Sequence, residues 1–175
     1  MKVTLIRHTS VDVPKGTCYG QSDVPLKDTF EQEATLVRAR LSGRAFDKVY
    51  TSPLSRCVKL ADFCGFPDAE RDERILELNF GDWEMQRFDT IADPNLQAWY
   101  NDYLHVRVTN GESFTDQYRR VAEFLEELCR KPYREVAVFA HGGVLICARF
   151  FAGLIDESRA FEALTPYGGE ISLDI

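Results

Sequence analysis

The sequence has no apolar run approaching the roughly 18 residues that cross a bilayer. Its opening stretch, Met1-Lys2-Val3-Thr4-Leu5-Ile6-Arg7-His8, is too briefly apolar for a secretory leader. A cytoplasmic protein without membrane attachment is expected. Positive charge is scarce: 21 Lys and Arg face 28 Asp and Glu, a net charge of −7. A nucleic-acid backbone demands a basic face that releases counterions, so a general nucleic-acid binder is excluded and an anionic ligand must be held by a local arrangement. The three histidines are scattered and give no metal site of recognised spacing. Cys18, Cys57, Cys64, Cys129 and Cys147 are odd in number and contain no C-x-x-C pair, which argues against a disulfide framework. They read as reduced thiols of the core.

What is present suffices for one packed core: 45% of the residues are hydrophobic and 12% aromatic, and the length predicts a single domain over 1–175. Repeats, low-complexity tracts and linkers are missing. Lys2 to Ile6 is short, apolar and β-branched, a buried strand, followed by a long polar loop from Thr9 to Thr29. Loops of that length usually carry function. Phe30, Ala34, Val37 and Leu41 recur at helical spacing, Phe46 to Tyr50 makes a second strand, and Pro53 opens a second helix. Arg74 to Gly81 is of mixed character. Residues 82–111 hold both tryptophans with no clean period, apart from a helix predicted over Pro94 to Tyr103, and look like an inserted cap. Ser113, three residues before Asp116, caps a long amphipathic helix carrying Phe114, Tyr118, Val121, Leu125 and Leu128. Glu135 to Ala140 is the strongest strand pattern, Gly142-Gly143 opens an apolar helix to about Leu154, and Glu170 to Leu173 is a last strand. Strands alternating with helices predict the α/β class, a three-layer α/β/α sandwich with a mostly parallel sheet whose carboxyl edge binds ligands.

Three strand ends deliver groups suited to a phosphate. Arg7-His8 follows the first, Ser52 to Arg56 the second, and His141-Gly142 the strongest. Phosphorus is attacked by a neutral imidazole nitrogen, and a neighbouring guanidinium neutralises the oxygens that would repel it. His8 fits the nucleophile, and Arg7 and Arg56 fit the cations. Arg56 lies early in its helix, where the dipole also faces an anion. His141 and the glycine-rich start of the following helix add donors for the developing charge. The leaving alkoxide needs a proton, which a carboxylic acid such as Glu77 supplies before activating water. Other phosphate chemistries are excluded by inspection: no cysteine has Arg six residues later, no Asp-x-Asp follows the first strand, and G-x-x-x-x-G-K-[ST] does not occur. His105, alone in the 82–111 segment, reads as a surface group. Trp83, Phe88, Trp99 or Tyr100 offers a flat surface for an aromatic base, or else the core of the cap.

Leu5-Ile6-Arg7-His8, Thr51-Ser52-Pro53-Leu54-Ser55-Arg56, Glu77-Leu78-Asn79-Phe80-Gly81-Asp82-Trp83-Glu84 and Ala140-His141-Gly142-Gly143 together resemble the histidine phosphatase superfamily, the phosphoglycerate mutase-like proteins, in order and over nearly the whole chain. The resemblance implies a phosphoglycerate mutase-like fold and catalytic roles for His8, Glu77, His141, Arg7 and Arg56. Thr9, Tyr19, Gly20, Gln21 and Gly142 then join Arg7, Arg56 and His141 around the substrate, a small phosphorylated metabolite, with no metal and no organic cofactor. Tyr19-Gly20-Gln21-Ser22-Asp23-Val24-Pro25-Leu26 resembles the corresponding loop of the α-ribazole phosphatases, which remove the 5′-phosphate of α-ribazole phosphate in cobalamin nucleotide-loop assembly. Two positions depart from the family pattern: Thr9 and Met85 stand where glycine is usual. Thr9 either alters the loop slightly or turns its hydroxyl to the phosphate.

The nearest alternative is a broad-specificity sugar-phosphate or phosphoglycerate phosphatase or mutase with the same catalytic residues. An inactive phospholigand-binding module is a second, less favoured because His8, Arg56, Glu77 and His141 are all present. Oligomeric state is not legible in the sequence.

Overall fold

The computed structural model describes residues 1–156, 160 and 164–175. Five strands, β1 (Lys2–Arg7), β2 (Lys48–Thr51), β3 (Glu70–Arg71), β4 (Glu135–Ala140) and β5 (Glu170–Asp174), form one sheet in the order β3-β2-β4-β1-β5. The first four are parallel, and β5 runs antiparallel to β1 at the edge. The sequence therefore predicts the sheet class correctly and misses the two-residue β3, which is too short for any periodicity.

Alternation along the central strands decides which layer covers which face. Val3 and Leu5 of β1, with Val136, Val138 and Ala140 of β4, pack against α4 (Phe114–Cys129) and α5 (Gly142–Phe151). Ile6, Ala137 and Phe139 point the other way, onto α1 (Phe30–Leu41) and α2 (Ser55–Phe63). Both faces are covered, as parallel sheets require, and each fully buried Leu, Ile or Phe contributes about 1.5–3 kcal/mol. Acidic residues in the first turn of α1 and basic ones in its last complement its dipole. The predicted capping box of α4 is present, with Ser113 Oγ accepting from Asp116 N and the Asp116 carboxylate accepting from Ser113 N. α2 starts at Ser55, two residues after Pro53, because Leu54 is still extended.

Residues 82–111 pack around a separate cluster in which Trp83, Ile91, Trp99 and Val108 enclose Cys18 from the first long loop. Backbone bonds stitch the two segments together, Cys18 N to Gln86 O at 2.7 Å and Met85 N to Cys18 O at 2.7 Å. The predicted helix is shorter than expected, α3 (Asn95–Asn101). Met85 has φ of 65°, a left-handed conformation that a glycine adopts without strain. One cysteine departs from the core reading: Cys129 is exposed at the end of α4, whereas the other four are buried.

Candidate active site

Strand register brings the three predicted strand ends to one place. Arg7 pairs with Ala140 and Thr51 with Phe139. The ladder continues one residue further, His8 N donating to Ala140 O (3.1 Å) and Ser52 N to Phe139 O (2.8 Å). His8 and His141 therefore leave adjacent strands at the same level, with ring centroids 5.3 Å apart and planes at 65°. Both rings are buried.

The His8 ring is oriented from both sides. Nδ1 lies 2.7 Å from the Thr9 carbonyl, which can only accept, so Nδ1 carries the proton. Nε2 then keeps its lone pair, and the Arg56 Nε–H donates to it at 3.3 Å. Burial, with Arg56 and Arg7 adding repulsion of positive charge, lowers the His8 pKa to about 3. His141 is held well below the ordinary imidazole range by burial first, then by Arg56, His8, Arg120 and Arg7. Its Nε2 lies 2.7 Å from Ser52 Oγ and 3.6 Å from Cys57 Sγ.

Arg56 is fully buried in the first turn of α2. Besides His8 it donates to the carbonyls of Ser22 (2.9 Å) and Gly20, tying the long first loop to the site. Arg7 donates to Thr165 O at 2.6 Å and lies 4.0 Å from the centre of the Tyr167 ring, while its buried Nε has no hydrogen-bond partner among the described residues. The Thr9 hydroxyl is likewise buried without a partner among the described residues. The Tyr19 hydroxyl meets that of Tyr167 at 2.6 Å, and the Tyr167 ring centre is 5.5 Å from that of His8.

Glu77 approaches from the irregular segment after β3. Its Oε1 accepts from Leu78 N (2.9 Å) and Gln117 Nε2 (2.8 Å), and its Oε2 from Gly143 N (3.1 Å) in the first turn of α5. A Cβ at Gly143 would fall 2.3 Å from Glu77 Oε1, so only glycine lets the carboxylate reach the helix start. Gln21 does not point at the histidines: its side chain donates to the Glu77 carbonyl at 3.1 Å. The backbone N–H groups of Gly20 and Gln21 are held by Glu84, whose carboxylate also accepts from the Ser22 hydroxyl at 2.7 Å.

Beside this cluster opens a cavity of about 260 Å³. Arg7, Tyr19, Glu77 and Gly142 form its polar end, and Phe80, Phe88, Trp99, Tyr103 and Phe114 its wall. Of the four aromatics named from the sequence, Phe88 and Trp99 face this space. Trp83 is buried with its Nε1 on Asp93 (2.7 Å), and Tyr100 is exposed. His105 is a surface group paired with Asp102.

Gln117, Glu84, Arg120 and Tyr167 have no candidate role in the sequence reading. Gln117 does leave a signal there, a polar residue within the apolar stripe of α4, and Glu84 lies inside a quoted motif. Arg120, which donates to the carbonyls of Arg74, Leu76 and Glu77, shows its purpose only in three dimensions. Among the described residues no cluster of His, Cys, Asp and Glu is placed to hold a metal ion, and no helix is long and apolar enough to cross a membrane.

A family model described as the histidine phosphatase superfamily (branch 1) matches residues 3–163. An adenosylcobalamin/alpha-ribazole phosphatase of Escherichia coli (strain K12) is 33% identical over 154 residues, spanning 83% of this chain and 75% of the relative. Phosphoserine phosphatase 1 of Hydrogenobacter thermophilus is 26% identical over 168 residues, spanning 91% and 79%. Among solved structures, the alpha-ribazole phosphatase from Shigella flexneri superimposes with a TM-score of 0.90 at 27% identity, covering all of this chain (100%) and 91% of the other.

Proposed function

The chain belongs to the histidine phosphatase superfamily and is a phosphatase, and from that premise we propose that it removes the phosphate of α-ribazole phosphate through a phosphohistidine at His8. The observation that carries this reading is the junction of two surroundings: a neutral imidazole with its Nε2 lone pair among buried cations, adjoined through Arg7, Glu77 and Gly142 by an aromatic-walled cavity.

In the first step His8 Nε2 forms a bond to phosphorus as the ester P–O bond breaks, and Thr9 O stabilises the charge that spreads to Nδ1–H. Arg7, Arg56, His141 and the Gly142 N–H at the start of α5 face the equatorial oxygens, where preorganised donors act most strongly. Arg7 Nε and Thr9 Oγ1, which lack hydrogen-bond partners among the described residues, are placed to join them, which supports the reading that Thr9 contributes a hydroxyl where the family pattern has glycine. Glu77 protonates the leaving oxygen. In the second step it takes the proton back from a water that attacks the phosphohistidine, restoring His8. Tyr19 borders the substrate, while Gly20 and Gln21 shape the loop through Glu84 and Arg56. The 82–111 segment acts as the cap of a single-domain enzyme. A cytoplasmic setting suits a small phosphorylated metabolite and the free thiols of Cys57 and Cys147.

The cavity wall favours this substrate over those of acidic relatives. Its only charged lining groups among the described residues are Arg7 and Glu77. A phosphoserine or phosphoglycerate carboxylate would therefore lie beside Glu77 with no cation beyond the one assigned to phosphate. A panel of α-ribazole phosphate, ribose 5-phosphate and phosphoserine tests this. We expect kcat/KM on the first to exceed that on ribose 5-phosphate by at least about tenfold, the worth of one stacked base, with phosphoserine slower still. Equal values on the first two would remove the aromatic base from the substrate.

A further inference from the structure

Gln117 is a buried amide on the inner face of α4, four residues beyond the helix cap. Its neighbours on that face, Phe114 and Val121, belong to the hydrophobic core. An amide in such a place costs stability unless it is bonded, and its Nε2 donates to Glu77 Oε1 at 2.8 Å. Among the described residues it is the only side chain bonded to that carboxylate, the other two donors being the backbone N–H groups of Leu78 and Gly143. The amide and the carboxylate meet over Gly143, where an added Cβ would lie 2.9 Å from both Gln117 terminal atoms and 2.3 Å from Glu77 Oε1.

The backbone bonds leave one freedom open. Leu78 N holds Oε1 from the adjacent residue and Gly143 N holds Oε2 from α5, and both act on a chain segment without regular secondary structure. A second hold on Oε1 from a rigid helix fixes the plane of the carboxyl group. We propose that Gln117 is a positioning residue for proton transfer, aiming Glu77 at the leaving-group oxygen. The proposal rests on the reading of Glu77 as proton donor. Without the amide the carboxyl group swings toward the aromatic cavity, and the proton arrives late for ester oxygens that depart poorly. The phosphorylation site itself is untouched, because Gln117 contacts neither His8 nor the arginines that face it in any bond the structure shows.

The substitution Gln117→Met keeps the length and volume of the side chain and removes the donor. Its kcat/KM is measured across phosphate esters whose leaving groups run from alkyl alcohols to p-nitrophenol, beside a thermal unfolding curve that establishes folding. The expected result is a loss of about ten- to a hundredfold on the alkyl esters, the scale of a misplaced proton donor. p-Nitrophenyl phosphate should lose less than about threefold, since its leaving group scarcely needs the proton. In an enzyme already carrying Glu77→Gln, the Met substitution should add no further leaving-group dependence. Equal losses on alkyl and aryl esters, or the same loss in the Glu77→Gln background, would overturn the proposal by reducing Gln117 to a packing residue. Failure of the underlying reading looks different: Glu77→Gln alone would then slow alkyl and aryl esters equally. Should Gln117→Met not fold, Gln117→Leu is carried through the same series with the same two outcomes.

Discussion

The phosphate cluster and the aromatic wall are neighbours built by different means. His8, Ser52 and His141 are placed by the backbone, one residue beyond paired strand ends, so their spacing follows from the sheet register. The wall formed by Phe80, Phe88, Trp99 and Tyr103 is placed by side chains packing on one another in a segment of short turns and one short helix. His8 and His141, to which the proposed function assigns the phosphoryl group, thus sit on a rigid edge, where errors of an ångström are costly, whereas Glu77 reaches them from an irregular segment. The aromatic wall proposed to face the leaving alcohol sits on a segment that packs in its own cluster, apart from the strands.

The largest effect expected from this contrast concerns acid stability and belongs to the cluster alone. His8 is neutral in the fold, with a pKa lowered from 6.5 to about 3, so below pH 6.5 the unfolded chain binds a proton that the folded chain refuses. Its contribution to stability is complete above pH 6.5 and falls by about 1.4 kcal/mol per pH unit toward pH 3. His141 acts in the same sense. Denaturant unfolding of His8→Asn between pH 7 and 4 should show a shallower decline than wild type by about that amount per unit. Parallel declines would mean that His8 protonates as easily folded as unfolded.

Trp99→Ala probes the other side. It should cost about ten- to a hundredfold in kcat/KM on α-ribazole phosphate, from lost stacking of 1–3 kcal/mol, and leave ribose 5-phosphate nearly unchanged. Equal losses on both would erase the division of labour. The smallest effect is at the seam between the regions: Met85→Gly relieves a left-handed backbone and should raise stability by up to about 1 kcal/mol, offset by added freedom of the unfolded chain. A loss of stability instead would show that the Met85 side chain contributes more packing than its half-exposed position suggests.

The same contrast explains what was legible in the sequence. β4 and the capping box of α4 announce themselves through local pattern, and the motifs of His8, Arg56 and His141 follow strand ends, so fold class and that cluster could be read directly. The aromatic wall could not be resolved: Trp83 and Trp99 look alike in sequence, yet one is sealed in the core on Asp93 and the other borders the cavity. That choice depends on how the turns fold, which no period encodes. Supporting residues escaped for a related reason. Glu84 and Arg120 act on backbone groups 40 to 65 residues away, and only the tertiary structure brings those partners near. Cys129, read as core with the other thiols, ends the last turn of α4 beyond the apolar stripe and meets solvent.

Covalent capture of phosphate by the His8 imidazole is the step from which the other proposed roles follow. Rapid quenching of wild type in alkaline detergent during turnover of a 32P-labelled phosphate ester should recover protein-bound label that survives alkali, is released by mild acid and is missing in His8→Ala, a variant expected to lack turnover. Wild-type enzyme that hydrolyses the ester at full rate with no such adduct, or His8→Ala that retains the label, would contradict it.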